Sequence, residues 1–470
     1  MRLATVIRRG LVVTPSGPRF ADVGIQSGRI VEVAAPDTLP RAMREFHADG
    51  LVVLPGLIDP HVHLGVGDRI GDDQMRDDFL HNSRDCLLGG VTTIATTTME
   101  GSEPLRERFD RALSCGKGRS WVDYKITSVV GNSSHVRDIP YVMSKGGVSF
   151  KFFTGYMGEQ AEAFGQDASG ITPGLFFEAC EAIAAGGAPG FAAIHAEEPY
   201  VRAILAGRLR TEQETQDVLT AWSASSPEWA ESAQVYTYAF TAASAGVPLY
   251  VVHVSSALTV DLLQWLRGRG LPVVGETLCL FLCTTAQQMD AAGMGGKAKI
   301  QPPLRQEADR QRLWRGVQEG SITIVGTDSL TYSSRFKEQG DFWDCRVGVN
   351  VQFADMLPLL WDEGVVRGRI DAPMLSRLLS ENAARRFGLY PQKGVIAPGA
   401  DADIAILDPE REMRLGVSRY RGKSDYSLWE GRVVRGVPTM TFLRGELVMQ
   451  DGEVVGNSPA GRYLDYRIRI

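Results

Sequence analysis

Residues 56–65 read GLIDPHVHLG, an apolar run that carries His61 and His63 one residue apart. In an extended strand, residues i and i+2 share a face. Both imidazoles therefore point the same way and can hold one ion between them. Only seven histidines occur in the 470 residues. Downstream, short β-branched runs recur, each followed by a helical pattern: VTTIATTT (91–98), DYKITSVV (123–130), VSFKFFT (148–154), FAAIHAE (191–197), PLYVVHV (248–254), LPVVGET (271–277) and SITIVGTD (321–328). With IDPHVHL these make eight strand–helix units. Such alternation predicts an α/β fold with a parallel sheet, closed as a TIM-type (β/α)8 barrel. Their continuous apolar character suits strands covered on both faces. LSRLLSENAARRFGL (375–389) reads as a helix stopped by Gly388, with Pro391 soon after.

The two ends of the chain read differently. ATVIRRGLVVT, ADVGIQSGRIVEVA and GLVVLPG precede the barrel pattern, and ADIAILDP and GRVVRGVPTMTFLRGELVMQDGEVVG follow it. These are short strands punctuated by glycine and proline. They predict a β-sandwich assembled from both termini, residues 1–55 plus 392–470, around a barrel at 56–391.

Composition narrows the function classes. Hydrophobic residues make up 44% of the chain, the formal net charge is −6 and the pI is about 5.8. Nothing in that balance favours nucleic acid or an anionic membrane surface. No apolar stretch approaches the ~20 residues of a membrane helix. The N-terminus alternates like a strand and lacks the apolar block of a signal peptide. Six scattered cysteines, Cys86, Cys115, Cys180, Cys279, Cys283 and Cys345, are expected as free, mostly buried thiols. A cytoplasmic location is the expectation.

On the eight strands, six residues stand out. His61 and His63 lie on the first, Lys151 on the fourth, His195 on the fifth, His253 on the sixth, and Asp328 ends the eighth. Taken singly, each has an ordinary reading: a hydrogen-bonded core histidine, a helix N-cap, a lysine reaching solvent. Jointly they fall near the C-terminal strand ends, where a barrel of this type builds its active site. Imidazole and carboxylate suit zinc and similar divalent ions. Four histidines and an aspartate exceed the three protein ligands usual for one catalytic zinc, so two metals account for them better. His47, His81 and His135 fall outside the strand ends and are read as structural.

With these residues the chain resembles the amidohydrolase superfamily, and within it the cyclic amidases: hydantoinase, dihydropyrimidinase, allantoinase and dihydroorotase. The resemblance runs through PGLIDPHVHL, VSFKFF, IHAEE, YVVHVSSA, PPLR (302–305), GTD, ENAARRFGLYPQKGVIAPGADADIAILDP and WEGRVVRGVPTMTFLRGELV. The last two stretches are typical of the hydantoinase and dihydropyrimidinase branch. The resemblance implies two divalent ions per subunit, zinc first, with manganese or cobalt as alternatives. His61, His63 and Asp328 would hold one ion, and His195 and His253 the other. An N6-carboxylated Lys151 and a hydroxide would bridge them. Asp328 would act as general base and then acid, and Tyr156, five residues after Lys151, would steady the oxyanion. The implied activity is hydrolysis of a cyclic amide or imide C–N bond in a small molecule. The alternatives are allantoinase, another amide, urea or carbamate hydrolase of the superfamily, or a non-catalytic dihydropyrimidinase-like assembly protein. The same resemblance implies a homo-oligomer, a tetramer or dimer, which the C-terminal stretch GNSPAGRYLDYRIRI could help join. That stretch could equally be a docked or mobile end.

Three departures from the family pattern lie where the ring of a substrate is expected. Ser329 replaces the usual histidine after the aspartate, Gln301 replaces a serine before PPLR, and GDFWDCRVGVNVQF (340–353) replaces a segment that usually holds an Asn-Gly pair. Loops 65–74 and 155–164 are expected to line the pocket. Phe152, Phe153 and Phe164 suggest room for an apolar substituent.

Overall fold

The computed structural model describes residues 3–98, 101–211, 217–350 and 352–465. Val351, inside the atypical segment, and the last five residues of the tail lie outside the described residues.

The N-terminal strands are β1 (Thr5–Thr14), β2 (Gly17–Gln26), β3 (Arg29–Ala34), β4 (Arg44–His47) and β5 (Val52–Pro55). Then come β6 (Leu57–Gly67), β7 (Val91–Thr97), β8 (Asp123–Val129), β9 (Ser149–Phe153), β10 (Phe191–His195), β11 (Leu249–Val251), β12 (Val273–Leu278), β13 (Ile322–Gly326) and β14 (Ser329–Thr331). β15 (Ile404–Arg414), β16 (Val433–Leu443), β17 (Glu446–Gln450) and β18 (Glu453–Val454) finish the chain.

β6 to β13 form the expected parallel barrel, each pairing with the next. Every residue of β7, β8, β9 and β10 is buried, the polar Thr, Ser, Lys, His and Asp positions included, as for strands covered on both faces. Closure uses a short element that the sequence did not announce. β13 stops at Gly326 and the chain resumes as β14, which pairs with β6 through Ser329 and Val62. Asp59 clasps the seam. Its carboxylate accepts from Thr327 Oγ1 at 2.5 Å and from Thr327 N at 3.2 Å. Burial pushes that carboxyl up to about 7.

The terminal strands form one path, β18-β17-β16-β15-β5-β1-β2-β3, with β4 added on β1. Side chains from both ends of the chain meet in one core, where Ile7, Val12, Val23 and Val53 pack with Ile404, Ile406, Met440 and Phe442. The sandwich from both termini is thus built on a single hydrogen-bonded path. The 375–389 helix is found from Ala372 to Arg386, with a wider π turn at Arg377–Glu381, and Gly388 follows in left-handed backbone. All six cysteines are free and buried. No helix among the described residues is long and apolar enough to cross a membrane.

At the start of β8, a buried ion cluster ties the sheet to the barrel. Lys393 Nζ lies 2.6 Å from Asp123, 2.5 Å from Asp403 and 3.2 Å from Asp401. Arg444 adds a second cation 2.5 Å from Asp123. Burial opposes the Lys393 charge, and Asp403, Asp123 and Asp401 outweigh it, so the ammonium is held above its ordinary range. Its contribution is therefore complete at neutral pH and is lost only as pH rises through that raised value. Lys393→Met will leave buried carboxylates uncompensated and cost about 3–5 kcal/mol at pH 7, measured by urea unfolding. A loss below about 1 kcal/mol would mean that the cluster is not coupling the two parts.

The tail is docked as far as it is described. Tyr124 N donates to Arg462 O and Leu464 N to Tyr124 O, each at 2.9 Å, while Lys125 Nζ donates to Leu464 O. A Cβ on Gly461 would stand 1.9 Å from Val122 O, so only glycine permits this approach.

Candidate metal centre

The barrel brings all six singled-out residues to one buried cluster. His61 and His63 lie on β6 with ring centroids 5.3 Å apart. Lys151 is the central residue of β9 and His195 the last of β10. His253 stands two residues past β11, and Asp328 sits in the gap between β13 and β14. Each is at most 8% exposed. His253 and Asp328 hold left-handed backbone, with φ of 41° and 51°. Strained backbone of this kind gathers at functional sites, here where two strands end and the chain turns.

Asp328 Oδ1 lies 3.3 Å from His61 Nε2 and 3.1 Å from His63 Nε2. Lys151 Nζ lies 3.2 Å from His61 Nε2, and His195 Nδ1 lies 3.0 Å from His253 Nε2. Two ligands about 2.0–2.1 Å from a tetrahedral ion stand about 3.3 Å apart, so the Asp328–His61, Asp328–His63 and His195–His253 spacings fit an ion between the donors. His61, His63 and Asp328 together form a group able to hold a metal, with all donor atoms within 4.8 Å of one another. Burial lowers the pKa of His61, His195 and His253 and keeps their rings neutral, as ligation requires.

The partners behind the rings were not singled out in the sequence. His61 Nδ1 faces Glu276 Oε1 at 3.0 Å, His63 Nδ1 faces Thr97 Oγ1 at 3.1 Å, and His195 Nε2 faces Glu197 Oε2 at 2.9 Å. An outer acceptor of this kind fixes the tautomer and leaves the inward nitrogen with its lone pair. Burial alone would raise Glu197, but the hydrogen bond from His195 and the charge of Arg202 hold it at about 2. Gly155 makes room for this arrangement, since a Cβ there would stand 2.9 Å from His195 Nε2. Glu276→Gln and Glu197→Gln will each weaken metal affinity by about 10- to 100-fold. Competition with a chromophoric chelator measures this, and unchanged affinity in both variants would remove them from the centre.

Above the cluster lies a cavity of about 230 Å³. His63, His195, His253 and Asp328 form part of its lining. Val66, near the end of β6, and Ile70 come from the stretch 65–74, and Tyr156, Ala163 and Phe164 from the stretch 155–164, as expected. Tyr156 is stacked between Phe164, at 4.4 Å, and His195, at 5.6 Å. Of the expected phenylalanines, Phe153 and Phe164 line the cavity. Phe152 faces outward and packs on Phe176 at 4.8 Å, because it alternates with Lys151 and Phe153 along the strand. Gln301 and residues 346–348 line the cavity, but Ser329 does not; it is buried in the closing strand. His135 is a core residue whose Nδ1 accepts from Gly131 N at 3.0 Å.

A parallel barrel with imidazole and carboxylate donors at the C-terminal mouth is the architecture of a metal-dependent hydrolase. A model of the amidohydrolase family matches residues 224–448. A D-phenylhydantoinase from Escherichia coli is 30% identical over 471 residues, with 98% of each chain covered. The solved dihydropyrimidinase from Brevibacillus agri superposes at TM-score 0.88 with 28% identity, covering 98% of each chain. The L-hydantoinase (dihydropyrimidinase) from Arthrobacter aurescens superposes at 0.89 with 26% identity, covering 98% of this chain and 99% of its own. The chain belongs to the amidohydrolase family, on its hydantoinase and dihydropyrimidinase branch.

Proposed function

We propose that this protein hydrolyses the C–N bond of a cyclic amide or imide, a hydantoin or dihydropyrimidine, at a two-metal centre. The observation that carries the reading is the convergence of His61, His63, Lys151, His195, His253 and Asp328 below a cavity of ring-binding size. His61, His63 and Asp328 would hold one ion and His195 and His253 the other, with N6-carboxylated Lys151 between them. Zinc suits this donor set, with manganese or cobalt as alternatives. Such ions supply Lewis acidity: they activate water at neutral pH and polarise a carbonyl.

The chain's own residues do the rest. Asp328 reaches the centre through Oδ1 and is placed to accept a proton from the attacking water and return it to the departing ring nitrogen. Tyr156 lines the cavity beside His195 and would donate its hydroxyl to the oxyanion. Gln301 is 6% exposed, and its Nε2 has no hydrogen-bond partner among the described residues. A carboxamide there complements a ring edge that offers an N–H beside a C=O. Val66, Phe153, Phe164 and Leu330 exclude water from the reacting bond.

The complete ligand set disfavours a non-catalytic assembly role. Exposed Trp229, Tyr236, Phe240 and Trp265 form an apolar face suited to a homo-oligomer, tetramer or dimer. The free, buried cysteines suit a cytoplasmic location. The domain division proposed is 1–55 plus 392–470 around 56–391. A screen of zinc-loaded protein against hydantoin, dihydrouracil, allantoin, dihydroorotate and linear carbamates tests the activity. Ring opening of hydantoin or dihydrouracil is expected. Turnover of linear carbamates alone would overturn the reading.

A further inference from the structure

Lys299 and Lys337, each 1% exposed, hold the segment that departs from the family pattern. Lys299 Nζ donates to the carbonyls of Phe342, Trp343 and Cys345, each at 2.9 Å. Lys337 Nζ donates to the carbonyls of Lys299, Arg346 and Gly348. An ammonium has three donors, and each of these finds three acceptors. Two buried lysines thus fix one short loop, and what that loop presents to the cavity is Arg346.

Arg346 stands exposed at the cavity mouth. Nη1 donates to Gly67 O at 3.0 Å, and the guanidinium lies 5.9 Å from the Tyr332 ring and 5.5 Å from the Phe336 ring. Among the described residues, no carboxylate comes within 4.0 Å of it. Val66, Ile70, Leu330, Tyr332 and Val347 line the cavity around it. Apart from the donors at the floor, Arg346 is the one charged side chain among the described lining residues. A guanidinium with free N–H groups, beside apolar walls, matches a carboxylate in two-pronged geometry. The low polarity of the walls strengthens that attraction.

We infer that Arg346 is a specificity-determining residue that selects cyclic amides whose ring substituent ends in a carboxylate. This inference rests on the ring-opening reading above and names its substrate class. The ring sits over the donors, its substituent runs outward along the apolar walls, and the carboxylate meets Arg346 at the mouth.

The test compares a hydantoin carrying a carboxyethyl side chain with its carbamoylethyl counterpart, which has the same shape without the charge. In the wild type, kcat/KM for the acid should exceed that for the amide by about 10- to 100-fold, mainly through KM. Arg346→Gln should bring the ratio close to one, and Arg346→Lys should keep part of it, since lysine keeps the charge and loses the fork. Equal kcat/KM for acid and amide in the wild type, or a ratio that persists in Arg346→Gln, overturns the inference. Unsubstituted hydantoin is the control for ring opening itself. If the wild type opens none of the three rings, the ring-opening reading fails. Calorimetry with the ring-opened compounds N-carbamoylglutamate and N-carbamoylglutamine then still tests Arg346. Tighter binding of the acid that disappears in Arg346→Gln supports the contact, and equal binding refutes it.

Discussion

Asp328→Asn is expected to lower kcat by about 10³- to 10⁴-fold with little change in fold. Asparagine has the same shape, so the left-handed turn at φ 51° and the bond from residue 328 N to His61 O at 2.9 Å can both persist. An oxygen also remains available near His61 and His63 Nε2, where Oδ1 now lies at 3.3 and 3.1 Å. What would disappear is the carboxylate proposed to accept a proton and hand it to the leaving nitrogen. Steady-state kinetics on hydantoin, with thermal unfolding and metal content measured on the same preparation, separates that loss from unfolding or metal loss. A variant within tenfold of wild-type kcat would remove Asp328 from the proton transfer.

Lys151→Ala is expected to reduce kcat/KM by at least about 10³-fold and to lower the metal content. Lys151 is 1% exposed, and Nζ lies 3.2 Å from His61 Nε2, inside the donor cluster. An unmodified ammonium there would repel a cation instead of holding it. A carbamate at the same place would instead offer two oxygens sharing one negative charge, between His61 and His63 on β6 and His195 and His253 beyond. Native mass spectrometry should show an added carbon dioxide on the wild type that is lost on acidification and absent from the variant. Acetate or propionate, entering the vacated space, should restore part of the activity. Full activity in Lys151→Ala would show that residue 151 bridges nothing.

Much of this was legible in the sequence, because the fold imposes short-range rules. Each of the eight barrel strands overlaps or adjoins one of the quoted runs, whose β-branched and aromatic residues suit a strand packed on both faces. The gathering of the six candidate ligands was legible because a barrel turns order along the chain into convergence in space. Most of what escaped depends on neighbours that no spacing encodes. Glu276 meets His61 from a distant strand, and Asp59 clasps Thr327 across the seam; Glu197, two residues after His195, was within reach of the i, i+2 rule but was not singled out. A trace existed in VVGET: a fully buried carboxylate in an apolar strand needs a partner. The outward face of Phe152 followed from strand alternation with Lys151, whereas the withdrawal of Ser329 from the cavity depended on β14, which is too short to leave a periodic pattern.

The central claim is that imidazoles and oxygens from distant strands share a pair of cations. Elemental analysis of protein expressed in zinc-replete medium tests it most directly. The account predicts about two ions per chain, falling when His61→Ala and His63→Ala are combined. A wild-type chain that carries no metal under those conditions, or a double variant that keeps the full complement, would contradict it.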